Sequence, residues 1–97
     1  MTFQEIINSD KPTVVDFFAT WCGPCQMYAP ILQQLKDRVQ ENATIVKIDI
    51  DKNPAVAAQY NVQSVPTTII FKNGEVRWKQ SGVRPVHELE RLVNENL

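Results

Sequence analysis

Two cysteines stand three positions apart in Trp21-Cys22-Gly23-Pro24-Cys25, and they are the only two in the 97-residue chain. If residues 22 to 25 begin a helix, their Cα atoms lie one turn apart, about 4.5 Å along the axis. That falls inside the roughly 4.4 to 6.8 Å that a disulfide spans, so the pair can open and close with little backbone movement. A helix start also offers backbone N–H groups without intrahelical partners, together with the positive end of the macrodipole, and both favour a thiolate over a thiol. Cys22 is the sulfur placed to benefit and is the expected nucleophile. Cys25, buried one turn further in, is expected to stay protonated until needed. Pro24 suits an early helical position, where its missing N–H costs nothing. Gly23 leaves the approach to Cys22 open.

Other uses of such a pair fit less well. Zinc takes four ligands, and His87, far along the chain, is the only further candidate of the usual Cys/His type. Haem attachment needs histidine after the second cysteine, where Gln26 stands. An inert bridge across so short a loop would constrain little of the unfolded chain. Thiol–disulfide exchange is the favoured chemistry, the inert bridge its alternative, and no metal or other cofactor is expected.

The composition sets the frame for that chemistry. At 43% hydrophobic content, a chain of this length predicts one domain over residues 1–97, with a core that needs no disulfide staples. Lys and Arg number 10 against 11 Asp and Glu, so bulk charge attracts neither nucleic acid nor an anionic membrane. No apolar run approaches the ~20 residues of a membrane span and no leader opens the chain, so a soluble protein is expected. Cysteines used only as a potential redox pair suit a reducing compartment, predicting a cytoplasmic address. A leader removed ahead of Met1 would instead give a periplasmic or other extracytoplasmic one.

The elements that must position the cysteines can be read in order. Thr2 and Glu5 have capping-box spacing ahead of a brief helix over residues 2–8. Residues 13–19 are apolar on both alternating faces apart from Asp16, which predicts a central strand covered on each side. From Cys22 to about Glu41, Met27, Tyr28, Ile31, Leu32, Leu35 and Val39 recur at helical spacing, and Pro30 predicts a kink. Residues 44–50 predict a second buried strand interrupted by Lys47, and Asn53-Pro54 open a short helix as cap and first residue. Asn73-Gly74 between two strand-like runs is a hairpin signal. Arg77 and Lys79 mark the second run as an edge strand. Pro85 starts a terminal helix whose Val86, Leu89, Leu92, Val93 and Leu97 share a face. Strand and helix alternate as in a parallel α/β unit.

In that order the chain closely resembles the thioredoxin family. The resemblance rests on Val15-Asp16-Phe17, Ala19-Thr20-Trp21-Cys22-Gly23-Pro24-Cys25, Ala29-Pro30, Asp49-Ile50-Asp51, Asn53-Pro54, Val65-Pro66-Thr67 and Phe71-Lys72-Asn73-Gly74-Glu75, covering nearly the whole chain. It implies an α/β thioredoxin fold and a protein-disulfide reductase in which Cys22 attacks and Cys25 resolves. Asp16 matches the buried carboxylate behind the second cysteine, Lys47 the lysine beside it, and Pro66 the cis-proline facing the pair. Burial independently predicts a raised pKa for Asp16, suiting it to relay a proton. The resemblance also implies an apolar substrate rim of Trp21, Val65, Pro66, Gly82 and Val83 around Gly23-Pro24. Disulfide-containing clients, a thioredoxin-reductase-like electron donor and a monomeric state follow from it.

Three departures stand out. The chain begins at the family's first helix, so the usual leading edge strand is missing and a mixed sheet of four strands is expected. Gln26 replaces the usual Lys or Arg, removing a charge near the thiolate, and Phe18 replaces a common Trp. Two other functions use the same residues. One is a thioredoxin-fold binding subunit with dispensable cysteines, the other a dedicated extracytoplasmic thiol carrier.

Overall fold

A strand that is apolar on both faces must be covered on both, and in the computed structural model, which describes residues 1–97, Thr13–Phe18 (β1) is covered in this way. Phe3–Ile7 (α1) precedes it, with both reciprocal capping-box bonds between Thr2 and Glu5 present. Gly23–Val39 (α2) follows, closing in a 3-10 turn at Gln40–Asn42. Thr44–Asp49 (β2), Pro54–Gln59 (α3), the hairpin strands Thr67–Lys72 (β3) and Glu75–Ser81 (β4), and Val86–Glu95 (α4) complete the chain.

The sheet order is β2-β1-β3-β4, with β2 parallel to β1 and both other pairings antiparallel. Side chains alternate across it. Val14 joins Tyr28, Leu32, Leu35, Ile70, Leu89 and Val93 beneath α2 and α4. Its neighbour Val15 joins Ile7, Phe17, Ile69 and Phe71 on the opposite face, where Phe3 and Tyr60 pack against them. Asp16 returns to the α2 side, opposite Lys47 on β2 and Thr68 on β3. The hairpin forms as its sequence requires, with φ of 53° at Asn73 and 78° at Gly74. Two successive residues with positive φ are the condition for a type I′ turn.

Four local expectations are corrected. β2 is half-exposed, not buried, because it occupies a sheet edge, and Lys47 on it is exposed. Met27 is 72% exposed, since the buried stripe of α2 runs Cys25, Tyr28, Leu32, Leu35, Val39 and leaves it to one side. Asn53 precedes α3 but does not cap it through its side chain, which donates to the Asp49 carbonyl at 3.1 Å. Leu97 lies beyond the end of α4 and is exposed.

Candidate active site

The cysteine pair sits where the strand at the centre of the sheet hands over to the longest helix. Cys22 is the N-cap of α2, extended at φ −92° and ψ 112°, with Pro among the first helical positions. Its sulfur accepts the Cys25 backbone N–H at 3.1 Å. An orphan amide of the helix start is thus satisfied by a sulfur, which a thiolate would do better than a thiol. The two cysteines are disulfide-bonded across a Cα separation of 5.3 Å. Cys22 and Cys25 are 4% and 5% exposed, so in the disulfide form overall accessibility does not separate them. What separates them is the amide, which reaches Cys22 alone. Gly23 and Pro24 are exposed, and a Cβ added at Gly23 would meet nothing within 4 Å.

Of the residues expected to ring the pair, Val65 packs against the cysteines. The Val65–Pro66 peptide is cis. The Val65 carbonyl oxygen lies 3.6 Å from Cys22 Sγ, and neither it nor the Val65 amide takes part in a backbone hydrogen bond. Pro66 is buried, and its carbonyl accepts the Gly82 N–H at 2.8 Å, which ties the loop after β4 to the loop before β3. Gly82 holds φ of 89°, a conformation other residues adopt only with strain. Val83 and Trp21 are exposed, Trp21 at 69%. Its indole N–H donates to Asp51 Oδ2 at 2.8 Å, so an exposed ring is held in one orientation by the loop after β2. Asp51 belongs to this site, although sequence reasoning assigns it no role. The Asp49-Ile50-Asp51 run is its only signal.

Behind the pair lies the buried carboxyl. Asp16 is 1% exposed, and neither of its oxygens has a hydrogen-bond partner. Burial raises its pKa to about 6, against a smaller opposing pull from the Lys47 charge. Asp16 and Lys47 do not form an ion pair. The Lys47 ammonium stays at the sheet edge, 4.9 Å from the centre of the Phe18 ring. Carrying it inward would add the desolvation of a second charge. A cleft of 350 Å³ runs between Cys25 and Lys47, bounded by Phe18, Ala19, Gln26 and Ala29, so both side chains are reached from the same side. Gln26 is exposed there and brings no charge. Across the sheet on the same face, the Tyr28 hydroxyl and Thr68 Oγ1 are 2.8 Å apart. Sequence reasoning misses that contact, because it places Tyr28 in the apolar stripe.

No cluster of three or more His, Cys, Asp or Glu side chains is arranged to hold a metal ion. No helix is long and apolar enough to cross a membrane.

Comparison with known proteins agrees with this geometry. A family profile described as thioredoxin matches residues 1–95. A thioredoxin-like protein of Synechocystis is 49% identical over 88 residues, 90% of this chain and 84% of that one. The thioredoxin of Chlorobaculum thiosulfatiphilum is 41% identical over 93 residues, 96% of this chain and 86% of its own. Among solved structures, a point mutant of thioredoxin from Halobacterium salinarum superposes with a TM-score of 0.86 at 34% identity, covering 96% of this chain and 80% of that one.

Proposed function

Because the chain belongs to the thioredoxin family and is a thioredoxin-like protein-disulfide reductase, we propose a division of labour among its site residues. Cys22 thiolate attacks one sulfur of a client disulfide. A mixed disulfide forms, and the other client sulfur leaves as a thiolate. Cys25 then loses its proton and attacks Cys22 Sγ, closing the Cys22–Cys25 disulfide and releasing the second client thiolate. Two electrons pass to the client, and a dithiol donor of the thioredoxin-reductase type returns them.

The observation that carries this reading is the Cys25 N–H donated to Cys22 Sγ at the start of α2. It favours negative charge on one sulfur only. Asp16 is the proposed acceptor for the Cys25 proton. With a pKa of about 6 it is mostly ionised at neutral pH yet basic enough to take a proton. Lys47 biases that equilibrium from the sheet edge, and the cleft between Cys25 and Lys47 gives the proton a way out to solvent. Trp21, Gly23, Pro24, Val65, Pro66, Gly82 and Val83 form the proposed client-binding rim. A client segment laid beside Val65 would use its unpaired amide and carbonyl like an added strand. The protein is proposed to work as a monomer in the cytoplasm, where a dithiol donor keeps the pair reduced.

The test is trapping. Cys25→Ser should accumulate a mixed disulfide with a protein substrate such as insulin, and Cys22→Ser should give none. No adduct in either variant would sink the assignment.

A further inference from the structure

The mechanism leaves one buried contact without a use. Tyr28 and Thr68 lie on different elements, forty residues apart, and both are fully buried. Their hydroxyl oxygens are 2.8 Å apart, and neither has another hydrogen-bond partner. Two hydroxyls carry two protons, and one contact between them uses only one. The pair therefore has a donor to spare.

Next to it stands a group with acceptors to spare. Thr68 is the antiparallel partner of Asp16 in the sheet, so both side chains project from the same face. Directly opposed residues have Cβ atoms about 4.5 to 5.5 Å apart, and both Asp16 oxygens are buried without a hydrogen-bond partner. Leaving such oxygens unpaired is costly, and the spare hydroxyl proton on the paired strand is a donor that could reach them through a bridging water. The same proximity is felt at Tyr28, whose pKa is pushed up to about 12, mainly by burial and in part by the Asp16 charge.

We propose that the Tyr28–Thr68 hydroxyl pair holds the Asp16 carboxylate, making both of them positioning residues for its proton exchange with Cys25. The proposal rests on the reading of Asp16 as that proton acceptor. Tyr28 donates to Thr68, which fixes the Thr68 rotor and leaves the Thr68 proton free to reach Asp16 through a bridging water. A carboxylate that receives a hydrogen bond stays ionised to lower pH. The pair thus opposes the burial that would otherwise keep Asp16 protonated. Other groups act on the same titration and must be held constant. Lys47 faces it from β2, and Cys25 lies on α2. Arg84 and Glu88, paired with each other at 2.7 Å, reach Tyr28 from the α4 side.

The experiment is infrared titration of the Asp16 carboxyl in the oxidised protein, with the band assigned by its loss in Asp16→Asn. Thr68→Val keeps the shape and removes the hydroxyl, and its midpoint should rise by about one pH unit. Thr68→Ser should return it to the parent value, and Tyr28→Phe should raise it by less than Thr68→Val. A Thr68→Val midpoint equal to the parent's overturns the proposal, and so does a Thr68→Ser midpoint as high as that of valine, because packing alone would then explain the shift. Should Thr68→Val fail to fold, an unmoved Tyr28→Phe midpoint overturns it instead. The relay itself is judged separately, by the rate at which Cys25 resolves a mixed disulfide. If Asp16→Asn leaves that rate unchanged, the relay fails, while the titration still decides what the hydroxyls do.

Discussion

At the scale of single residues, the site is built on a conflict that the fold tolerates. Asp16 is buried in a strand whose neighbours are apolar, and its pKa rises from 3.8 to about 6. The folded chain therefore binds the proton more tightly than the unfolded chain does. Stability from this residue is fullest below about pH 4 and is lost as pH rises through 6. Two pKa units correspond to about 3 kcal/mol, a large share of the roughly 5 to 15 kcal/mol that holds a domain of this size. Urea unfolding at pH 4 and pH 8 should show the parent losing about that much, with Asp16→Asn free of this component. Equal pH dependence in the two proteins would mean that the carboxyl is solvated. The burial itself was legible, because Thr-Val-Val-Asp-Phe-Phe-Ala leaves its acidic residue no solvent-facing side of the strand. The Tyr28–Thr68 contact was not. No local pattern links residues forty positions apart, and tyrosine at a core spacing reads as an apolar ring.

At the scale of elements, each boundary near the site has a local cause, and most were readable as dipeptides and spacings. Thr2 with Glu5, Pro24 after Cys22, Pro54 after Asn53, and Asn73-Gly74 all act within four residues of themselves. Gly74 shows how strict such a signal is. Its φ is 78°, and a Cβ there would meet only Asn8 Oδ1 at 3.7 Å. Space is sufficient, so the cost of Gly74→Ala is conformational, about 1 to 2 kcal/mol. A shift in the urea midpoint at constant slope would show it. α4 makes the opposite case, where the cost is packing. Leu89 is fully buried against the α2 side of the sheet, and Leu89→Ala should cost about 2 to 5 kcal/mol. Client reduction by the folded fraction should persist, because the cysteines belong to the start of α2 and to no part of α4.

At the scale of the whole molecule, the sheet separates two large hydrophobic clusters, and a third, small one of Ala19, Cys22 and Cys25 holds the chemistry beyond the end of β1. Phe3, Phe17, Tyr60 and Phe71 form a tilted and edge-to-face group on the far side, with Tyr60 and Phe71 5.1 Å apart. Phe3→Ala opens that group from the α1 end and should lower stability by about 2 to 4 kcal/mol. The pH profile of client reduction should not move, since Asp16 and Lys47 lie on the other face of the sheet and no member of the aromatic group packs against the cysteines. A displaced profile would show that the two faces communicate. What sequence could not supply at this scale was strand order. The run 44–50 reads as a buried strand, interrupted by Lys47, and only the order β2-β1-β3-β4 makes it an edge. The isomer at Val65–Pro66 was legible only through the family resemblance, because both forms share one sequence.

That edge has a consequence for how the protein behaves in concentrated solution. The even-numbered positions of β2 bond to β1, as Thr44 N to the Pro12 carbonyl and Ile50 N to the Phe18 carbonyl show. The amides and carbonyls of Ile45, Lys47 and Asp49 therefore point away from the sheet. Lys47, considered so far for its pull on Asp16, is also the one cation along this open template, between Ile45, Val46 and Ile48. Such a lysine guards against intermolecular β-aggregation. Lys47→Val would leave five consecutive β-branched residues at 44–48, polar only at the Thr44 hydroxyl, and light scattering at high concentration should rise in that variant while Lys47→Arg stays clear.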